Sequence, residues 1–375
     1  MNILSLFDQQ HVVTLKSRVW MPGTLGLQIA PYSTDQLLSE RTPSVVLLSA
    51  GEYDLISHHV REQLYGLYLV NERISIADLG HYTGDLDDLP EVLARLMSYG
   101  SFPLLFASEQ SLTLSLYTAY CRLERTVNLI SVDDRPDLDD VDGLLGENNW
   151  LSHVLAHSPN FLFNYSLIAH QNYLSNPEAI RSLELLNFDL HRLGQVRQSG
   201  ESTEPFFRNA DFLSFDISAV RSSDSPQNLR TGPNGLYAEE ACRLIRYAGM
   251  SNKLSSAGIF GWLGGASDYN PLSAGLVAQL IWHLLDGFFS RIEEGVPGNA
   301  NDFTIYKVST DTAETDIQFY KSNRSGRWWM YVPMNNLQKN RFKKHQIVPC
   351  SYEDYQQAMK GDIPETWWQT FQKMT

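Results

Sequence analysis

Residues 127–142, VNLISVDDRPDLDDVD, open as a short β-rich run and end in six aspartates: Asp133, Asp134, Asp137, Asp139, Asp140 and Asp142. A nearly continuous apolar run is what a strand buried on both faces requires. In a doubly wound sheet, ligands gather at the carboxyl ends of the strands. The stretch therefore reads as a buried strand that delivers carboxylates at its C-terminal end. Two other runs share this arrangement. FPLLFASEQS (102–111) ends in Glu109, Gln110 and Ser111, and FLSFDISAVRSSDSP (212–226) reaches Asp216 where its apolar run stops.

Outward from these, VVLLSAG (45–51), SIADLG (75–80), FLFNYSLIAH (161–170), FDLHRLGQVR (188–197) and SSAGIFGWL (255–263) read as further strands, which makes eight. Helical stretches alternate with them. DDLPEVLARLMSYG (87–100) has Asp88 placed to cap, Pro90 in the first turn and Gly100 past the end. YAEEACRLIRYAGM (237–250) and PLSAGLVAQLIWHLLDGFFSRIEE (271–294) follow. This alternation predicts βαβ units in one α/β domain over 44–300, with a mostly parallel eight-stranded sheet. Residues 1–43, with Pro22, Gly23, Gly26 and Pro31, read as an irregular lead-in. The Gly/Pro/Asn-rich EEGVPGNAND (293–302) marks a boundary, after which 301–375 reads as a small α+β appendage. In it, DFTIYKVSTD (302–311) and DIQFYKSNRSGRWWMYVP (316–333) are antiparallel strands turning at Asn323–Gly326, and 351–372 supplies one or two short helices.

Composition removes several classes. Against 43 Asp and Glu stand 29 Lys and Arg, for a net charge of −14, and the pI near 5.1 lacks the basic face a nucleic-acid binder needs. No apolar run approaches the ~18–20 residues of a membrane span, and the N-terminus lacks a basic signal-peptide region. Cys121, Cys242 and Cys350 are far apart and form no CxxC pair. Neither a disulfide framework nor a thiolate zinc site is implied, and a reducing cytoplasm is the expected location.

At the strand ends the sequence resembles the ureohydrolase superfamily of arginases, agmatinases and formiminoglutamases. ASEQS (107–111) lies where that family has GGDHS, DDRPD (133–137) where it has DAHxD, and SFDISAVRSSDSP (214–226) where it has SxDxDxxDP. The 23-residue step from Gln110 to Asp133 and the segment GLYAEEACRLIRYAG (235–249) are similar to the family's as well. The resemblance spans residues 40–294 and implies a three-layer α/β/α sandwich. It also implies a pair of Mn²⁺ ions whose shared hydroxide attacks a guanidinium or formimino carbon. Carried over by position, Asp133 and Asp216 match the two aspartates that bridge both metals, and Asp137 matches a ligand to one. The remaining ligand positions are occupied by Gln110, Arg135 and Ser218. His157 in LAHSPN, with His153 as the other candidate, matches a loop histidine that shuttles protons. The family's acidic substrate-gripping residue has no counterpart in GIFGWLGGASDYNP before Asp268.

These substitutions set the functional expectation. At most one divalent metal, Mn²⁺, is retained, through Asp133, Asp137, Asp216 and Gln110. The Arg135 guanidinium takes the second metal's seat and pairs with Asp133 and Asp216, because clustered carboxylates without a cation would otherwise take up protons. The reading is a ureohydrolase-like chain without binuclear catalysis that binds a small amidine or amino-acid ligand, or a partner. The alternative is an active formimidoylglutamase- or agmatinase-type hydrolase of linear amidines using one or two divalent metals. The resemblance also implies a homo-oligomer.

Other residues take plainer readings. Asp139, Asp140 and Asp142 fit a solvated loop without EF-hand spacing. His58 and His59 fit a surface, His170 a strand end facing the cleft, Glu109 a structural place, and Cys121 a packed helix position. Trp328, Trp329, Trp367 and Trp368 read as staples of the appendage onto the core, the alternative being an exposed aromatic surface for a partner.

Overall fold

The computed structural model describes residues 3–32, 42–51, 54–69, 75–140, 143–226, 230, 232–261, 270–295, 297, 299, 301–309, 316–334 and 342–374. Two two-residue strands, β1 (Phe7–Asp8) and β2 (Ala30–Pro31), precede β3 (Val45–Ala50), β4 (Ile76–Tyr82), β5 (Phe102–Ala107), β6 (Val127–Val132), β7 (Leu162–His170), β8 (Asp189–Arg192), β9 (Phe212–Asp216) and β10 (Ser256–Phe260). They form one sheet in the order β1-β4-β3-β5-β10-β9-β6-β7-β8, with β2 also paired to β4. The eight longer strands run parallel, as the sequence pattern predicts. The lead-in is less irregular than expected: β1 pairs antiparallel with β4, and Gln10–Lys16 is helical.

Every residue of β3, β5 and β6 is buried, because side chains alternate between two covered faces. Val45 and Leu47 enter one core, with helices Asp54–Tyr65, Ala238–Gly249 and Pro271–Phe289. Val46 and Leu48 enter the other, with helices Leu89–Ser98, Thr113–Arg122 and Trp150–Ala156. Each such buried aliphatic side chain contributes roughly 1.5–3 kcal/mol, so the strands need no polar face. On the first face, Arg61 and Asp78 form a buried bidentate pair, Nε to Oδ2 at 2.9 Å and Nη2 to Oδ1 at 3.0 Å, which ties helix Asp54–Tyr65 to β4.

Helix Pro271–Phe289 is long and apolar enough to cross a membrane, against the expectation that no apolar run approaches such a span. It is a core helix: Leu276, Leu280, Ile281, Leu284 and Leu285 are buried. It crosses Ala238–Gly249 at glycines, since a Cβ on Gly249 would stand 2.2 Å from the Leu284 carbonyl and one on Gly287 2.4 Å from that of Arg246.

Three further local expectations are corrected. The run read as a strand over 188–197 leaves the sheet at Arg192 and becomes helix Leu193–Gln198, whose buried Leu193 and Val196 have helical spacing. Asp88 makes no side-chain cap; Asp85 instead accepts from the Asp87 amide. The appendage contains a strand that its Pro349 disguised. Its sheet runs β11 (Phe303–Val308), β12 (Ile317–Ser322), β13 (Trp328–Tyr331) and β14 (Ile347–Cys350), with β14 at an edge, where proline is tolerated.

The tryptophans build the appendage more than they dock it. Trp328 and Trp367 join its own core with Ile317, Phe319, Met330 and the helices Tyr352–Met359 and Glu365–Met374, while Trp368 is exposed. Docking falls to polar side chains. Buried Arg208 donates to the carbonyls of Trp328 (2.8 Å) and Cys350 (3.1 Å) and lies over Trp329. His345 stacks on Phe163 with ring centroids 3.8 Å apart, and Lys373 donates to Asn164 Oδ1.

Candidate functional site

The sheet order brings the quoted strand ends together, because β5, β10, β9 and β6 are consecutive neighbours. Asp216 is the last residue of β9, Asp133 follows β6 directly, and Gln110 begins the turn after β5. Asp133, Asp137, Asp216, Gln110 and Ser218 are all buried. Gln110 Nε2 donates to Asp133 Oδ2 at 2.7 Å, and Ser218 Oγ to Asp133 Oδ1 at 3.2 Å. The Ser218 amide donates to Asp216 Oδ1 at 2.6 Å. Trp150 Nε1 donates to Asp137 Oδ2 at 2.9 Å. Asp216 lies flat against Gly261, whose φ is +93° and where a Cβ would stand 2.0 Å from Oδ1. The close approach needs a residue without a side chain.

The cation in this centre is not the one expected. Arg135 turns to its neighbour Asp134, with Nε to Oδ1 at 2.8 Å and Nη2 to Oδ2 at 3.1 Å; its side chain makes no hydrogen bond or ion pair with Asp133 or Asp216. Adjacent in sequence, the two groups close a bidentate fork. Arg230 enters instead. Its Nη2 lies 3.2 Å from Asp137 Oδ1 and 2.8 Å from Asn148 Oδ1, and Nη1 is 3.5 Å from Glu147. Glu147 also accepts from the Gln110 amide at 3.1 Å.

Electrostatics follow from burial. Desolvation raises Asp133, which Asp137 and Asp216 raise further. It pushes Asp137 up to about 7 although Arg230 draws it down, and Glu147 also to about 7. Asp216 is raised as well. Burial pulls Arg230 down, but Asp137, Asp216, Asp133 and Glu147 outweigh it and keep the guanidinium protonated. Three buried acceptors of this centre, Gln110 Oε1, Glu147 Oε1 and Asp216 Oδ2, have no hydrogen-bond donor among the described residues.

The remaining candidates lie elsewhere. His157 precedes β7 and so sits at the amino end of the sheet, where Nδ1 meets the Pro159 carbonyl at 2.9 Å and Cys121 Sγ at 3.9 Å. A role at the aspartates is thereby removed, because those side chains project from the carboxyl ends. His153 shares the helix of Trp150, whose indole does reach Asp137. His170, at the carboxyl end of β7, is pulled down to about 4 by burial and lines a cleft of about 340 Å³ with Tyr173, Arg192 and Arg197. Glu109 packs over Gly51. His58 and His59 both face Glu62. Asp142 and Asp268 lie outside the described residues.

Glu147, Asn148, Trp150 and Arg230 were not singled out from sequence. Each stands in a connecting segment or helix start with no motif, and only folding brings Arg230 to Asp137, 93 positions away.

A pair of Mn²⁺ ions, as the resemblance implies, does not fit these residues. Asp133 is already bonded by neutral donors on both oxygens, no histidine among the described residues bonds to it, and a guanidinium stands beside Asp137. Among the described residues no group of three or more His, Cys, Asp or Glu side chains is arranged to hold a metal.

No protein-family model and no curated protein matches the chain. Solved structures do. Formiminoglutamase from Trypanosoma cruzi, in a form with Mn²⁺, is similar at TM-score 0.61 and 19% identity over 68% of this chain and 96% of that one. Formimidoylglutamase from Bacillus subtilis is similar at TM-score 0.64 and 15% identity over 73% and 95%. The agmatine ureohydrolase of Thermoplasma volcanium gives TM-score 0.54 and 16% identity over 73% and 97%. With its parallel sheet flanked by helices, the chain has the arginase-like α/β fold of these structures, at 15–19% sequence identity.

Proposed function

We propose that this chain keeps the arginase-like scaffold without binuclear manganese catalysis, and that its acidic cleft binds a small cationic amidine or amino-acid ligand. The carrying observation is Arg230, an internal guanidinium held by Asp137 and Glu147. Four carboxylates share that centre, and one guanidinium neutralises only part of their charge. Among the described residues, Gln110 Oε1, Glu147 Oε1 and Asp216 Oδ2 are left as buried acceptors without a donor. A ligand bringing positive charge and N–H donors meets both needs. Substitution at Gln110, Arg135 and Ser218 supports the loss of the binuclear centre, since none of the three is the histidine or carboxylate ligand that the resemblance calls for.

The test is metal analysis of protein purified without chelator, with hydrolysis assays on formiminoglutamate, agmatine and arginine in added Mn²⁺. The reading expects far fewer than two Mn per chain, no turnover, and agmatine binding by calorimetry. Two Mn per chain with turnover would instead support the amidine hydrolase.

A further inference from the structure

A cavity of about 490 Å³ lies at the opposite end of the sheet from the aspartates. Arg208 and Lys253, on its core side, precede β9 and β10, so it opens at the amino ends of these strands. Its other wall is Trp329, Ile347 and Pro349 of the appendage sheet, with Arg327 and Lys344 alongside. On a chain of net charge −14, four cations face one another here.

Their counter-ions are shared. Glu204 serves both Arg208 (3.0 Å) and Arg327 (3.4 Å), while Asp211 serves both Lys253 (3.6 Å) and Lys344 (3.5 Å). Glu294 reaches Arg327 at 3.6 Å, and Glu293 is exposed at the margin. Arg208 is spent on Glu204 and two appendage carbonyls. Lys253, Arg327 and Lys344 differ. Their ion pairs are longer than the ~2.7–2.9 Å of a charge-assisted hydrogen bond, so their charge is only loosely neutralised. Lys253 Nζ does bond Asn209 Oδ1 at 3.0 Å, and Lys344 Nζ the Thr126 carbonyl, which aims both ammonium groups without neutralising them.

We propose that this cavity binds a small organic anion bearing phosphate or carboxylate groups, with Lys253, Arg327 and Lys344 on the charged groups and Trp329, Ile347 and Pro349 against the apolar body. Its volume falls within the ~300–1,000 Å³ of small-molecule sites. Because one wall is core and the other appendage, a bound anion holds the two together and raises the stability of the whole chain.

Calorimetry and thermal melts with pyrophosphate, citrate and adenosine monophosphate test this on the full chain. At least one is expected to bind with Kd of about 1 mM or tighter, to raise the melting temperature, and to weaken with salt. Citrate alone binding assigns a carboxylate ligand. Pyrophosphate or the nucleotide alone assigns a phosphate one. The double variant Arg327→Gln, Lys344→Gln is expected to bind about tenfold more weakly or worse while keeping its unliganded melt. If it melts early, the single Lys344→Gln carries the comparison, that side chain being 41% exposed. Failure of all three anions to bind, or undiminished binding by the variant, overturns the site.

Discussion

Arg230 Nη2 stands 3.2 Å from Asp137 Oδ1, and the two residues are brought together from the segments following β9 and β6. Trp150 holds the other oxygen of Asp137, so the carboxylate is aimed at the guanidinium. That pair organises the acidic centre, and the cost of its removal depends on pH.

Arg230→Ala leaves buried carboxylates uncompensated and is expected to cost about 3 kcal/mol at pH 8. The cost shrinks toward pH 5. Asp137 and Glu147, raised by burial to about 7, then carry protons in the folded chain. A carboxylate whose folded pKa lies above its unfolded one favours folding at low pH and loses that contribution as pH rises through the folded value. Thermal melts of both proteins at pH 5 and 8 measure the difference; an equal loss at both would contradict it.

His345 titrates in the opposite sense. Burial, then Lys253, Lys344 and Lys373, holds it well below the usual histidine range. The unfolded chain therefore binds a proton near pH 6.5 that the folded one refuses, and the core–appendage seam weakens as pH falls below about 6.5. Amide exchange in helix Glu365–Met374 should speed up between pH 7.5 and 5.5, after correction for intrinsic rates. His345→Phe, which keeps the stack on Phe163, should flatten that dependence.

The Arg61–Asp78 pair offers a double-mutant cycle. Each of Asp78→Ala and Arg61→Met is expected to cost about 3–5 kcal/mol, because each strands a buried charge. The double variant should cost less than the sum by more than about 1 kcal/mol. Additive losses in urea titrations would show that the two charges do not depend on each other.

Gly261→Ala drives a methyl group into Asp216 at a backbone angle that L-residues avoid. The expected loss is about 2–3 kcal/mol, with faster exchange of the Ser218 amide as its 2.6 Å bond to Asp216 is displaced. Denaturant titration and hydrogen exchange read the two effects.

Periodicity and strand-end chemistry were enough to read the eight parallel strands and the approach of Asp133, Asp216 and Gln110. The reason is physical: a strand buried on both faces must be apolar throughout, and side chains at its carboxyl end must point into the common cleft. The helix at Leu193–Gln198 and the strand at Ile347–Cys350 escaped that reading, because a short apolar run serves either state and a proline hides an edge strand. Which cation neutralises the aspartates was beyond it altogether. Arg135 and Arg230 are the same residue type, and the family register pointed to Arg135 because it stands at a ligand position. Only the tertiary structure closes Arg135 onto Asp134 and carries Arg230 to Asp137, since a long-range ion pair depends on where loops meet in space and leaves no periodic trace in the chain.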